Sequence, residues 1–121
     1  MDLSTRALGD YGERLACRYL VSQGLTILDR NWRCARGEID IVALDGRCLV
    51  VCEVKTRTSE AFGAPFEAVT WTKRRRLRRL AGLWRDHHPD AAAGADLRID
   101  VISILRPREG RARLEHLRGA C

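Results

Sequence analysis

Two acids and a lysine stand in the segment GEIDIVALDGRCLVVCEVKTR, residues 37–57, inside hydrophobic runs that flank Asp45-Gly46. Asp-Gly is a preferred pair for a two-residue type I′ hairpin turn, so the runs read as antiparallel strands joined at residues 45 and 46. That turn pairs Leu44 with Arg47, Val42 with Leu49 and Asp40 with Val51. Alternation with period two then puts Asp40, Val51, Glu53 and Lys55 on one face, with Asp40 diagonal to Glu53 at roughly 7 Å. Ile39, Ile41, Val50, Cys52 and Val54 point the other way, toward a core.

Carboxylates gathered beside a lysine suit the hydrolysis of a phosphodiester. The reaction needs charge on the scissile phosphate neutralised and a water held in line with the leaving oxygen. Asp40 and Glu53 form a carboxylate pair able to hold Mg²⁺ or Mn²⁺, hard ions that take oxygen ligands and keep waters, and the Val54 carbonyl offers a third oxygen. Lys55, on the face of Glu53, is placed to orient or deprotonate the attacking water and to offset developing charge. Glu38 also has the parity to face this cleft, with capping or solvent exposure as its other readings. The same three residues can instead form an ion-pair network on a solvated sheet face. A surface pair contributes only about 0–1 kcal/mol, a weak reason to place acids inside apolar strands.

The balance of charge points to a polyanionic partner. Among 121 residues, 22 Lys+Arg stand against 16 Asp+Glu, a formal charge of +6, and nucleic acid, DNA first, is the expected partner rather than an anionic membrane. The run TKRRRLRR carries Lys73, Arg74, Arg75, Arg76, Arg78 and Arg79 around a Leu77-Leu80 stripe; with Arg33, Arg36 and Arg57 it reads as a phosphate track into the cleft. Trp32 and Trp71 are candidates for stacking on a base, with core packing as the competing role. No apolar run reaches the length of a membrane span, and the N-terminal residues lack the pattern of a secretory signal, so a cytoplasmic protein is expected. The five cysteines, 17, 34, 48, 52 and 121, form no CxxC pair; Cys17, Cys48 and Cys52 read as small reduced hydrophobes rather than a disulfide framework or zinc site. His87-His88 before Pro89 reads as a helix terminus.

These residues must be positioned by a small set of elements. Residues 4–23 show helical spacing at Leu8, Tyr11, Leu15, Tyr19 and Leu20, between a Ser4 N-cap and a Gly24 stop. LTILDRNW is a first strand, RCARG a basic loop, and the hairpin supplies strands two and three. TSEAFGAP is a loop, residues 67–88 a second helix with Leu77, Leu80, Ala81 and Trp84 buried, and DAAAGAD a linker. LRIDVISIL reads as a strand covered on both faces, followed by a turn near Glu109-Gly110 and a short strand RLEHL. The order αβββαββ predicts one α/β domain over residues 1–121, with helix two as the right-handed crossover between strands three and four.

The motifs GExxA at Gly12–Ala16, GEIDIVA at Gly37–Ala43, EVKTR at Glu53–Arg57, FGAPFEAV at Phe62–Val69 and RIDVISI at Arg98–Ile104, with the basic helix, make the chain resemble the YraN family over nearly its whole length. That family is similar to the PD-(D/E)xK nuclease superfamily, near the archaeal Holliday junction resolvases, and most of its members have no assigned activity. The resemblance implies a restriction-endonuclease-like fold, a mixed central sheet flanked by helices. Asp40 matches the first metal-binding acid, Glu53 and Lys55 the ExK half of the motif, and Glu13 the helix-one glutamate of resolvases. Cys52 stands where an aliphatic residue is usual, and LEHLRGAC departs from the family ending. The expectation is an Mg²⁺-dependent nuclease acting on DNA, with branched or junction DNA in repair or recombination among its candidate substrates, and by analogy a homodimer. The alternative is a nucleic-acid-binding module that keeps the fold without cutting.

Overall fold

The computed structural model describes residues 4–59 and 70–119. The segment 60–69, which includes most of TSEAFGAP and the motif FGAPFEAV, lies outside the described residues, as do Met1–Leu3 and the last two residues; the second helix, expected over 67–88, starts only at Trp71, because Thr70 is extended and caps it.

The chain runs α1 (Thr5–Ser22), β1 (Thr26–Cys34), β2 (Gly37–Asp45), β3 (Cys48–Arg57), α2 (Trp71–His87), β4 (Asp96–Leu105) and β5 (Arg113–Leu117), the order read from the sequence. Ser4 Oγ accepts the Ala7 N–H and starts α1; Thr70 does the same for α2 through Lys73 N–H. Each hydroxyl satisfies one of the donors that a helix start leaves open. Gly24, at φ 93°, follows the end of α1 in a conformation that favours glycine.

The five strands form one mixed sheet in the order β1-β2-β3-β4-β5, antiparallel except for the parallel pair β3 and β4 that α2 bridges. One helix covers each face. Ala16, Cys17 and Leu20 of α1 pack on Ile41, Ala43, Val50, Cys52, Ile102 and Ile104. Leu77, Leu80, Ala81 and Trp84 of α2 pack on Ile39, Val42, Leu49, Val51 and Ile99. Burial on both faces explains why the strand 96–105 is nearly continuous in apolar residues.

The hairpin differs from its expected register. Leu44 pairs with Leu49, Val42 with Val51 and Asp45 with Cys48, so the turn is Gly46-Arg47 and Asp45 ends β2. Gly46 supplies the turn's only positive φ, 58°, which is the requirement of a type II′ turn with glycine first. Asp45 is held in the strand by Arg98, whose Nη1 donates to Oδ2 at 2.9 Å. A slip of two residues preserves the faces. It does not preserve them through Asp40, however: Ile39 packs with α2 whereas Ile41 packs with α1. The break falls where Asn31 of β1, between the pairs Arg30-Ile41 and Trp32-Ile39, has φ 51°, so alternation fails at that rung. Val51 is fully buried under α2, so the charged face opens only at its Glu53 end.

The basic loop 33–37 contracts to a two-residue turn at Ala35-Arg36, with Arg33 and Cys34 drawn into β1. Cys17, Cys34 and Cys52 are free. Cys48 departs from the expected reduced thiol, being disulfide-bonded. Among the described residues no helix is long and apolar enough to cross a membrane.

Candidate functional site

The β2-β3 ladder ends at the pair Ile41-Cys52, and Asp40 sits one residue beyond it. There its Oδ2 accepts the Val54 N–H at 2.9 Å, so a side chain takes a strand donor where the two strands part. Glu53 stands on β3 at the same level. Asp40 and Glu53 line one cleft of about 240 Å³ with Gly37, Glu38, Arg76 and Leu77. The structure thus brings together the two acids that the hairpin argument paired, with Glu53 opposite Asp40 rather than diagonal to it once the register is corrected.

Glu53 is 13% exposed, and its Oε1 is shared by two ammonium groups, Lys73 Nζ at 2.8 Å and Lys55 Nζ at 3.4 Å. Lys73 is therefore turned inward onto the acid. Burial pushes the Lys55 ammonium below its usual range, Lys73 adds to that, and Glu53 opposes it. Burial acts on Lys73 in the same direction, but its hydrogen bond to Glu53 and the charge of that carboxylate outweigh burial and hold it above that range. Asp40 is raised by burial first and by the charge of Glu53, against the Val54 hydrogen bond.

Glu13 reaches this neighbourhood from α1 because Gly12 lets the helix come close to β3. A Cβ at Gly12 would overlap Thr56 Oγ1, next to Lys55 in the chain. The glutamate is pushed up to about 7, by burial first and by Asp40, with Arg30 pulling the other way. Glu13 Oε1 and Glu53 Oε2 are buried and accept no hydrogen bond from the protein. Buried carboxyl oxygens left without a hydrogen bond are costly unless something else binds them. Glu13 is not among the residues that line the cleft; the pair that does, Asp40 and Glu53, is one a hard divalent cation fits. Among the described residues no three His, Cys, Asp or Glu side chains form a group able to hold a metal by themselves. The residues therefore fit the mode of Mg²⁺, in which one or two carboxylates share the ion with waters and substrate phosphate, and not a closed protein cage.

The cationic residues divide. Arg74, Arg75, Arg78 and Arg79 are exposed on α2, as a phosphate track requires. Arg33 is exposed but paired with Glu38 at 3.1 Å, and Glu38 is both solvent-exposed and part of the cleft lining. Arg36 is exposed in the β1-β2 turn. Arg57, half-buried at the end of β3, offers its carbonyl to Arg106 N–H at 2.8 Å. Trp32 packs against the α2 cluster and meets His87 edge-on. A second opening of about 410 Å³, lined by Tyr11, Arg14, Cys17, Arg18 and Arg30, carries none of the acids.

Sequence reasoning missed Arg76 as a cleft residue and a second buried polar cluster. Asp100, 0% exposed, accepts from Arg98 Nε at 2.9 Å and Nη2 at 3.0 Å, and from Gly119 N–H at 3.0 Å; His116 Nε2 lies 2.7 Å from it. Tyr19 Oη closes the chain on His116 Nδ1 at 3.0 Å. The available signal was the pair Arg98 and Asp100, two residues apart within a strand otherwise apolar.

The sequence pattern of uncharacterised protein family UPF0102 matches residues 12–104. The chain belongs to that family. Curated relatives agree: a UPF0102 protein of Beutenbergia cavernae is 58% identical over 113 residues, covering 93% of this chain and 94% of its own. One of Nocardioides sp. is 55% identical over 114 residues, 94% and 90% of the two chains. One of Streptomyces coelicolor is 54% identical over 120 residues, 98% and 92%. The matched segment of this UPF0102 chain contains Glu13, Asp40, Glu53 and Lys55 together with all of α2. Membership establishes kinship and leaves the reaction to the chemistry of the cleft.

Proposed function

We propose that this chain is an Mg²⁺-dependent (or Mn²⁺-dependent) phosphodiesterase of the restriction-endonuclease-like fold, a cytoplasmic nuclease whose substrate is DNA, with branched or junction DNA favoured. The observation that carries the reading is the convergence of Asp40 and Glu53 in one cleft, beside Lys55 and beneath a basic helix, with the Glu53 Oε2 and Glu13 Oε1 atoms buried and unpartnered. Bound between the acids, the cation would neutralise the scissile phosphate and lower the pKa of a water at neutral pH. Asp40 and Glu53 would hold the ion, with the Val54 carbonyl available as a third oxygen. Lys55 orients the attacking water and offsets charge developing on the phosphate. Glu13 supports the site from α1, and exposed arginines of α2 guide the backbone in. A homodimer would match the two symmetric cuts of a four-way junction.

One observation favours a second reading, a binding module on the same fold that does not cut. Lys55 and Lys73 neutralise Glu53, so phosphate could be tolerated there without a cation. Incubation of purified protein with labelled duplex, single-stranded, flap and junction substrates in Mg²⁺, Mn²⁺ or chelator separates the two. The nuclease reading expects metal-dependent cleavage that Asp40→Asn, Glu53→Gln and Lys55→Ala each lower by orders of magnitude. It is overturned if no substrate is cut and calorimetry detects no Mg²⁺ or Mn²⁺ binding lost in the acid variants.

A further inference from the structure

Three tryptophans are present, and their surroundings differ. Trp84 is 1% exposed and donates from Nε1 to Asp29 at 2.8 Å. Trp32 is half-buried against the α2 cluster. Trp71, the first residue of α2, is 71% exposed, the most open large apolar side chain among the described residues. Its ring carries the Arg75 guanidinium over it, with Cζ 4.7 Å from the centroid. Arg75 lies one helical turn on, so the pair is a local i, i+4 contact, and the Thr70 cap fixes the turn that bears it.

Placement around α2 gives this pair a meaning. At 100° per residue, with Leu77, Leu80, Ala81 and Trp84 facing the sheet, Trp71, Arg75 and Arg79 follow one another along the outward ridge. Arg76 lies on the flank between that ridge and the acids, where it lines the cleft, and Lys73 reaches Glu53. By the same spacing Trp71 lies about 200° around α2 from Lys73, so the ring is at least one helix diameter, about 10–12 Å, from the acids. A helix meant for a lipid surface would present a broad apolar face. Here the ring stands alone among guanidinium groups.

We infer that Trp71, braced by Arg75, is a stacking platform for an unpaired base of a nucleic-acid strand whose backbone crosses the arginines of α2 into the Asp40-Glu53 cleft. This rests on the proposed nucleic-acid reading and narrows it to substrates with an unpaired nucleotide within a helix width of the cleaved bond: single strands, flaps and opened junctions rather than continuous duplex. A paired base has both faces covered by its neighbours in the stack and offers none to an indole. An unpaired base does, and aromatic stacking tolerates any base while guanidinium groups hold the backbone.

The test measures binding in chelator of an oligodeoxythymidylate, its RNA counterpart and a blunt duplex of equal length by wild type, Trp71→Ala and Trp71→Phe. Tryptophan emission is followed in parallel, with Trp71→Phe as the blank that isolates Trp71. Trp71→Ala is expected to weaken single-strand binding roughly 5- to 100-fold, the range of one base-aromatic stack, with duplex binding and the melting temperature unchanged. Trp71→Phe restores most of the loss, and Trp71 emission is quenched by single strands alone. The DNA and RNA arms show which strand supplies the base. Equal loss for single strand and duplex, or no loss, overturns the platform while leaving nucleic-acid binding intact. Failure of wild type to bind any oligonucleotide overturns both readings, and a Trp71 response to phosphatidylserine vesicles in place of oligonucleotides would replace the platform by a lipid contact.

Discussion

Glu53→Gln and Asp40→Asn remove the same charge from the same cleft, yet the structure gives them opposite effects on stability. Glu53 is the shared partner of Lys73 and Lys55, at 2.8 and 3.4 Å, with side chains 13%, 19% and 30% exposed. Breaking an exposed pair changes stability by about 0–1 kcal/mol, and breaking a buried one by about 3–5 kcal/mol. These burials fall between the two, and glutamine keeps an acceptor oxygen, so a loss of about 2 kcal/mol is expected. For a chain of this length that is a fall of roughly 8 °C in Tm. Asp40 has a different setting: its hydrogen bond is to Val54 N–H, burial disfavours its charge, and asparagine can keep the bond while removing the charge. Asp40→Asn should leave Tm in chelator unchanged or higher. Added Mg²⁺ reverses the comparison. At a hundredfold excess over Kd, binding to the native state alone stabilises wild type by about 2.7 kcal/mol, and neither variant should show that gain. Circular-dichroism melts at neutral pH, in chelator and across an Mg²⁺ titration, measure all of this. If Asp40→Asn melts as low as Glu53→Gln in chelator, Asp40 is a structural ion-pair member. If wild type gains nothing from Mg²⁺ or Mn²⁺, the carboxylates are not a metal site.

Gly12→Ala should lower Tm by about 4–12 °C, since overpacking typically costs about 1–3 kcal/mol. Helix propensity alone would raise it, so the sign reports the contact with Thr56, and adding Thr56→Ala should recover most of the loss in the same melts. Glu13→Gln should change the pH dependence of stability. Because the folded protein holds the Glu13 proton up to about 7, the folded state binds more protons than the unfolded one between the ordinary glutamate range and that pH, and wild-type stability falls as pH rises through the window. Burial first, then Asp40, Asp10 and Glu38, raise the group and Arg30 lowers it; urea midpoints of wild type minus variant should decline across the window and level off above it, and a flat difference refutes the shift. Replacing Arg78 and Arg79 with glutamine should reduce the log-log salt slope of duplex binding by about 1.8, from roughly 0.9 per phosphate contact, and an unchanged slope would move the binding surface off α2.

The element order was legible because each helix has a cap and an apolar stripe and each strand a clear run between turn residues. The site was legible only in part. Parity along β3 placed Glu53 and Lys55 correctly, since period two survives a slip of two residues. The register was not legible: Asp45-Gly46 and Gly46-Arg47 are both acceptable turns, and the choice lies with Arg98, fifty-three positions away in the chain. The face of Ile39 was also out of reach, because alternation breaks at the Asn31-Asp40 rung and nothing local in GEID marks it. Likewise TKRRRLRR reads as one uniform basic surface. Only packing separates Lys73, bound to Glu53, and Arg76, in the cleft, from the arginines left in solvent.

Two buried polar clusters show why the acid cleft, rather than the other, is the place to look for chemistry. Around Asp100 every contact is answered: two guanidinium nitrogens, an imidazole and a backbone N–H converge on a carboxylate with no exposure, and Arg98 carries the network on to Asp45. Such completeness fixes geometry, joining β4 to β5, to the β2-β3 turn and, through His116 and Tyr19, to α1. It leaves no oxygen for a ligand. At the other cluster the chain also buries charge, but Glu53 Oε2 and Glu13 Oε1 are left without donors, and Gly12 is kept free of a side chain so that α1 can come close beside β3. A fold selected for stability alone would be better served by completing or neutralising those carboxylates. Their incompleteness, beside two lysines and an arginine-bearing helix, is what a site for a cation and a phosphate requires.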